Sequence, residues 1–241
     1  MILLPDRVYR LPRRWSNREL ERCAHLFRGD VVNVSAWKDM DKQGRYYRDY
    51  FCNANSYTIT NYKPEAQGLQ GSDGEIFLDL EEDLPKDLRR RFDVVFNHTT
   101  LEHVYRVQKA FKNLCDMTRD VVIIVLPFLQ QYHSSYGDYW RFTPLAVKTM
   151  CDENGFSVVY QSFNSQRKSS VYTFTIASRL AEKWKEQFNY HFTCVDRKGR
   201  GEEPYIGCRA LSNYGYRMKV WVRRLLELGR KVLQGRTRRG V

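Results

Sequence analysis

Short apolar runs alternate along the chain with longer amphipathic segments, a pattern that predicts strands separated by helices. The run Val121–Leu126 is almost wholly β-branched, which predicts a central strand buried on both faces. Six further runs have the length and composition of strands. The seven predicted strands span residues 30–35, 57–61, 75–80, 92–96, 121–126, 156–161 and 171–177.

Three helices are predicted between these strands, over residues 17–27, 101–117 and 144–153. Ser16 and Glu19 have capping-box spacing at the start of the first helix, and Thr99 or Thr100 can cap the second. Residues 84–90 predict a short helix or turn, and residues 188–213 show no clear period. Strands and helices that alternate in this way predict an α/β fold, with a doubly wound, mostly parallel, seven-stranded sheet.

The chain divides into three parts by composition and pattern. Residues 1–28 form a basic segment with a helix, 29–187 form the α/β domain, and 188–241 form a C-terminal extension. The longest apolar run, Val121–Leu129, contains Pro127 and has half the length of a membrane span. We therefore expect no transmembrane segment.

Polar residues end most of the predicted parallel strands. In doubly wound sheets, ligands bind at the carboxyl ends of the strands. Five such ends therefore predict a pocket on one rim of the sheet, although any one of them could be an ordinary solvated loop. The five ends are residues 35–39, Asn61, Asp79, Asn97–His98 and 127–133.

The net charge of +12 is concentrated in the C-terminal segment 217–241, which holds nine Lys or Arg residues and one acid, Glu227. Apolar residues recur at helical spacing over Tyr216–Leu233. A basic amphipathic helix favours an anionic membrane surface or an acidic protein partner. A helix packed on the domain with a solvated basic face is the open alternative.

Six cysteines lie far apart and form no CxxC pair. This spacing argues against a zinc site and favours reduced thiols in a cytoplasmic protein. We therefore expect no metal site.

Several motifs in this order resemble the class I S-adenosylmethionine-dependent methyltransferases, and most closely the small methyltransferases of surface-polysaccharide and glycan pathways. The matching motifs are IFLDLEEDLP, FDVVFNHTTLEHV, VVIIVLPF, and DYWRFTP followed by a helix and GFSVV. The resemblance covers about residues 29–178. It implies that S-adenosylmethionine is the cofactor and that the last strand enters the sheet antiparallel.

The resemblance also implies a set of cofactor-binding positions. Asp79 matches the third-strand acid that meets the adenine amino group. The first strand lacks the family's glycine-rich turn, and the second strand ends on Asn61 in place of the acid that binds the ribose hydroxyls. The expected cofactor-binding residues are Asn33, Ser35, Trp37, Asn61, Asp79, Leu80, Asn97 and His98.

Transfer of a methyl group to a hydroxyl requires a base, and histidine is the usual base near neutral pH. His133 lies in the loop after the fifth strand, five residues before Asp138, which could orient its ring. His98 at the end of the fourth strand is the second candidate. His103 is interpreted as a packing or capping residue.

The loop around His133 is rich in aromatic rings with a carboxylate and a guanidinium between them, which suits stacking on a sugar ring. For Trp140, a core position that anchors the next helix is equally open. The expected substrate-binding residues are Tyr132, Tyr136, Tyr139, Trp140 and Arg141.

These observations favour an enzyme that methylates a sugar hydroxyl in glycan assembly, in the cytoplasm or peripherally on the inner membrane face. The second hypothesis is a non-catalytic scaffold or binding protein that kept the fold and lost the cofactor. A nucleic-acid methyltransferase is disfavoured because the rim lacks a Lys/Arg cluster. A nicotinamide oxidoreductase would require a G-x-G-x-x-G turn, which is absent.

Overall fold

A computed structural model describes residues 6–66, 68–133, 137–188, 206–211, 218, 221–223, 225 and 226. Three α-helices and seven strands form the body of the chain. The helices are α1 (Arg10–Cys23), α2 (Val107–Met117) and α3 (Pro144–Glu153). The strands are β1 (Gly29–Val34), β2 (Ala54–Asn61), β3 (Ile76–Phe77), β4 (Phe92–His98), β5 (Thr118–Leu129), β6 (Ser157–Phe163) and β7 (Val171–Ser178).

All seven strands form one sheet in the order β3-β2-β1-β4-β5-β7-β6. The first five strands pair in parallel, and β7 runs antiparallel to both β5 and β6. The predicted mostly parallel sheet and the antiparallel last strand are therefore confirmed. The strand order reverses between β1 and β4, and this is the place where ligands bind in sheets of this kind.

Both faces of the sheet are covered, which explains the continuous apolar composition of β5. On one face, α2 and α3 contribute buried side chains that include Phe111, Leu114, Met117, Val147 and Cys151. On the other face, α1 and the segments around it contribute Leu20, Cys23, Phe27, Tyr47 and Trp184. The N-terminal helix is thus part of the α/β body and does not form a separate unit.

Helix α1 begins at Arg10, seven residues before the predicted start, so the capping-box prediction is wrong. The Ser16 hydroxyl donates to the carbonyl of Arg13 from inside the helix. Glu19 is buried and accepts hydrogen bonds from the hydroxyls of Tyr160 and Ser162 on β6. The two polar residues that resemble a cap therefore make tertiary contacts.

The second predicted helix is also interrupted. Residues 101–103 form one 3₁₀ turn, and α2 begins only at Val107. Thr100 precedes the turn but makes no side-chain capping bond. The carbonyl of Glu102 accepts hydrogen bonds from the backbone N–H groups of Tyr139 and Trp140, so it is engaged by another segment instead of continuing a helix.

Two smaller findings complete the comparison with the predictions. Strand β3 pairs over only two residues, Ile76–Phe77, where residues 75–80 are predicted. Within the described part of the chain, no helix is long and apolar enough to cross a membrane.

Candidate functional site

A cavity of about 270 Å³ opens at the carboxyl ends of β1 to β4, where the strand order reverses. Asp79 and Glu81 line one end, and Arg13 and Lys42 also lie in its wall. Seven of the eight residues expected to bind the cofactor line the cavity. They come together because parallel strands end on the same edge of the sheet. They are Asn33, Ser35, Trp37, Asn61, Asp79, Leu80 and His98.

The eighth residue, Asn97, lies under the cavity and does not line it. Its side chain is fully buried and donates to the carbonyl of Val34 at 2.9 Å, which ties β4 to β1. The fifth predicted end, the segment after β5, does not line the cavity either. There, β5 continues to Leu129, which carries the following loop past the rim.

Residues 35–39, the first part of the loop after β1, use left-handed backbone without any glycine. Ser35, Trp37 and Asp39 have φ angles of 58°, 51° and 54°. Each such residue costs about 1–2 kcal/mol relative to right-handed backbone, because Cβ crowds the following carbonyl. Three residues with side chains therefore adopt a conformation that favours glycine, at an energetic cost that other contacts must offset.

Asn61 supplies part of this compensation. Its Oδ1 accepts a 2.6 Å hydrogen bond from the backbone N–H of Trp37, and its Nδ2 donates to the Trp37 carbonyl at 3.0 Å and to Glu75. A carboxylate at this position could accept the bond from the Trp37 N–H, but it could not donate the other two. The asparagine at the end of β2 is therefore explained by its hold on the loop.

Asp39 is the second support of the loop, and the sequence analysis missed it. Its side chain is buried, and Oδ1 accepts from Asn33 Nδ2 at 2.8 Å and from the Tyr57 hydroxyl at 2.6 Å. The Arg48 backbone N–H donates to Oδ2. Asn33 thus faces the cavity while its amide holds the loop.

Both ring nitrogens of His98 are engaged. Arg13 Nη2 donates to Thr99 Oγ1 at 2.9 Å, and that oxygen lies 3.1 Å from His98 Nδ1. His98 Nε2 lies 2.9 Å from Ser16 Oγ, whose proton goes to the Arg13 carbonyl. Because the Ser16 hydroxyl donates to Arg13, it accepts from His98, so the ring proton is on Nε2 and Nδ1 accepts from the Thr99 hydroxyl.

Burial, followed by the positive charges of Arg13 and Lys42, holds the pKa of His98 well below its usual range. His98 is therefore a neutral ring in the cavity wall, joined at both nitrogens to α1 and to the end of β4. This arrangement suits positioning more than proton transfer.

Three titratable side chains meet at the edge of the cavity: Glu102, His103 and His133. One donor atom from each lies within 4.8 Å of the others. His103 Nε2 is 3.8 Å from Glu102 Oε1, and the two imidazole centroids are 5.0 Å apart. His103 lines the cavity, which contradicts its interpretation as a packing or capping residue alone.

The cluster has the character of a proton acceptor. His103 Nδ1 lies 2.5 Å from the Gly137 carbonyl, so it carries the ring proton and the lone pair is on Nε2. Glu102 is almost fully buried, and burial raises its pKa to about 7. The same donor atoms lie close enough together for a metal ion, and Arg13, Arg141 and the negative Asp138 all act on Glu102.

Asp138 binds the backbone of His133, while His133 Nδ1 makes no hydrogen bond within the described part of the chain. Asp138 Oδ2 accepts the His133 backbone N–H at 2.8 Å and lies 3.3 Å from His133 Nδ1. Burial acts against the charged form of Asp138, but hydrogen bonds from Arg141 and His133 outweigh it and lower the pKa to about 2. Arg141 also donates to the carbonyls of Gln130 and Gln131, so it closes the base of the loop.

The aromatic residues that the structure describes in this loop lie outside the cavity. Tyr132 and Tyr139 are exposed, and Trp140 is partly anchored because its Nε1 donates to the Val104 carbonyl at 3.0 Å. Phe142 is buried in the core. Tyr136 lies outside the described residues.

Arg13 and Lys42 are cavity residues that the sequence analysis did not single out. Arg13 reaches the cavity from α1, a helix that precedes every strand, and Lys42 comes from the loop after β1. No motif marks either residue. Only the packing of α1 against the sheet places Arg13 there.

No family model and no curated protein matches this chain. Among solved structures, a Bacillus halodurans C-125 protein described as a methyltransferase is similar, with a TM-score of 0.50 and 10% identity over 67% of this chain and 97% of that one. Together with the strand order, this similarity defines the class I methyltransferase fold and confirms the predicted fold class.

Two more distant similarities carry bound ligands. The 1,6-didemethyltoxoflavin-N1-methyltransferase of Burkholderia thailandensis, solved with 1,6-didemethyltoxoflavin and S-adenosylhomocysteine, has a TM-score of 0.49 and 18% identity over 70% of this chain and 79% of that one. The magnesium protoporphyrin IX methyltransferase of Synechocystis PCC 6803, solved with S-adenosylhomocysteine, has a TM-score of 0.42 and 11% identity over 62% and 73%.

Proposed function

We propose that this protein is an S-adenosylmethionine-dependent methyltransferase. The observation that carries the proposal is the cavity at the β1/β4 reversal, which gathers seven expected cofactor residues in a chain with the class I methyltransferase fold. The cofactor supplies a methyl group on a sulfonium that a nucleophile can displace. The left-handed loop at Ser35, Trp37 and Asp39 lets backbone line the cavity where the family's glycines do.

The acidic end of the cavity suits the adenine. Asp79 is partly exposed there, and one of its carboxylate oxygens accepts from the backbone N–H of Glu81. A second carboxylate oxygen can accept from the adenine amino group. Asn61 is committed to Trp37 and Glu75, so it is a poor ligand for the ribose hydroxyls.

For the acceptor, we favour a sugar hydroxyl in glycan assembly, with His133 as the base and Asp138 as its orienting partner. Support comes from the 3.3 Å approach of Asp138 to His133 Nδ1 and from the cluster of proton acceptors beside the cavity. The exposed ring faces of Tyr132 and Tyr139 can stack on a sugar as it enters.

The non-catalytic alternative has one observation in its favour. Neither a glycine-rich turn nor a β2 acid is present, so two of the usual cofactor contacts are lost. Cofactor binding distinguishes the two hypotheses. The enzyme must bind S-adenosylmethionine, whereas a scaffold that has lost the cofactor does not bind it.

The test is calorimetric titration of the full chain with S-adenosylmethionine and S-adenosylhomocysteine. We expect micromolar dissociation constants that rise at least tenfold, about 1.4 kcal/mol, in Asp79→Ala. The exposed residue Asp73 provides the matched control, Asp73→Ala, which should bind like the wild type. Absence of binding by the wild-type chain would favour the scaffold.

We also propose that the C-terminal segment places the enzyme on an anionic membrane surface. Its described residues are helical, and the apolar ones are 44–60% exposed: Met218, Trp221, Val222, Leu225 and Leu226. An apolar helix surface flanked by Arg and Lys residues suits the interface of a membrane with anionic lipids better than solvent.

A further inference from the structure

The end of the cavity nearest α1 carries two positive charges, with Glu102 near Arg13 and Asp6 near Lys42. Arg13 and Lys42 both line this end. Within the described ranges, neither side chain forms a salt bridge. The acids of the cavity wall, Asp79 and Glu81, come from the opposite side, beyond β3. The cavity is therefore polarised along its length.

Electrostatics and hydrogen bonding both indicate that these charges act on the groups around the end of β4. Arg13 and Lys42 add to burial in lowering the pKa of His98, and Arg13 adds to burial in lowering the pKa of Lys42. Glu102 faces Arg13, but burial raises its pKa to about 7, so it neutralises the guanidinium only in part at neutral pH. In addition, the Nε of Arg13 is buried without a hydrogen-bond partner in the described structure.

Arg13 is partly buried, and leaving its buried Nε without an acceptor costs free energy unless a ligand supplies one. The cost rises when the sulfonium of the proposed cofactor enters the same cavity, because it adds a third positive charge. An anionic group that binds Arg13 and Lys42 accepts from the unpaired donor and also reduces the repulsion between the positive charges. Guanidinium and ammonium groups bind carboxylate and phosphate by charge-assisted hydrogen bonds.

We propose that Arg13 and Lys42 form an anion subsite that holds a carboxylate or phosphate group of the methyl acceptor. This assignment rests on the proposed methyl transfer and narrows its substrate to an acidic sugar or a sugar phosphate. The acceptor is a better source of the anion than the cofactor because Arg13 bonds to Thr99, whose N–H donates to β5 at Val125. Arg13 thus lies on the β4–β5 side of the cavity, where His103 and His133 meet.

The experiment uses the full chain and two titrations by calorimetry. Inorganic phosphate is titrated into protein saturated with S-adenosylhomocysteine, and S-adenosylhomocysteine is compared with 5′-methylthioadenosine, which lacks the amino-acid carboxylate. The variants are Arg13→Gln and Lys42→Gln. The matched controls, Arg14→Gln and Lys38→Gln, remove the same charge from neighbouring exposed residues that do not line the cavity.

We expect each cavity variant to weaken phosphate binding at least tenfold while the controls and the S-adenosylhomocysteine affinity stay within twofold of the wild type. Loss of S-adenosylhomocysteine affinity with unchanged methylthioadenosine affinity would assign the charges to the cofactor carboxylate and overturn the acceptor subsite. Equal weakening by the controls, or no phosphate binding, would also overturn it. Lys42 is exposed, so Lys42→Gln keeps the test valid if Arg13→Gln fails to fold.

The two proposals fail differently. If the wild-type chain does not bind S-adenosylhomocysteine, the proposed methyl transfer is refuted, and the acceptor assignment falls with it. If the wild type binds S-adenosylhomocysteine but the cavity variants bind phosphate like the wild type, the anion subsite alone is refuted.

Discussion

Glu102 is the residue whose protonation is most tightly linked to the fold. It is 1% exposed, and its Oε2 has no hydrogen-bond partner among the described residues. A buried carboxylate without partners is stabilised by taking up a proton. His98, a few residues earlier, shows the opposite response to the same burial, since it is held neutral by giving its proton up.

We predict that Glu102→Gln changes the pH dependence of stability. The folded pKa of about 7 lies above the ordinary value of 4.5, so the stability that Glu102 contributes is complete below pH 4.5 and is lost as the pH rises through 7. The full loss is on the order of 3 kcal/mol, from 1.36 kcal/mol per pKa unit. Urea unfolding should show that the free energy of unfolding of Glu102→Gln rises relative to that of the wild type between pH 5 and pH 8. A stability difference that stays constant with pH would contradict the raised pKa.

His133 carries the second prediction at this scale. Replacing it with Ala should lower turnover of the true acceptor about a hundredfold or more, because the base is lost, and should leave cofactor affinity nearly unchanged. Steady-state kinetics and calorimetry measure the two quantities. The exposed residue His25 provides the control, His25→Ala. Near-native turnover in His133→Ala would move the role of base to His103 or His98.

At the scale of elements, the loop after β1 is the feature that most departs from the family pattern. Left-handed residues replace glycines in it, and the end of β2 compensates through Asn61. Asn61 and Asp39 hold the loop in a left-handed conformation that residues other than glycine disfavour.

We predict that Asn61→Asp destabilises the protein, although it restores the acid that the family uses at this position. The new carboxylate would face the Trp37 carbonyl and Glu75, where the amide now donates, and would lose both bonds. The cost is roughly 1–3 kcal/mol for buried groups left unpaired. Urea unfolding measures it, with Asn55→Asp at an exposed position of β2 as the control. Equal stability of Asn61→Asp and wild type would show that Asn61 does not hold the loop.

At the scale of the whole molecule, charge is divided between a nearly balanced body and a basic C-terminal segment. Residues 217–241 carry +8 of the net +12. Apolar burial and electrostatic attraction both contribute to the free energy of binding when a basic helix with an exposed apolar surface meets an anionic membrane.

Removal of residues 217–241 should therefore abolish binding to phosphatidylserine vesicles. Raising the salt concentration should weaken binding of the full chain in the same way, since salt screens charges separated by more than about 8–10 Å. Co-sedimentation with anionic and neutral vesicles measures both effects. Retained binding in the truncated chain would reject the membrane proposal and leave an acidic protein partner for this segment.

The hydrophobic pattern was sufficient to predict the number of strands and their approximate positions along the chain. Apolar runs such as Val121–Leu126 must be buried on both faces, and this local requirement leaves few alternatives to a doubly wound sheet. Because parallel strands end on the same edge of the sheet, seven of the residues expected to bind the cofactor line one cavity.

The tertiary structure decided the polar contacts that a one-dimensional pattern does not encode. Ser16 and Glu19 have the spacing of a cap, yet they bind β4 and β6. Trp37 becomes acceptable in a glycine position only because Asn61, 24 residues away in sequence, holds its backbone. Arg13 reaches the cavity only because α1 packs on the sheet. Hydrophobic burial acts on each segment separately, whereas hydrogen bonds and charges depend on which segments meet.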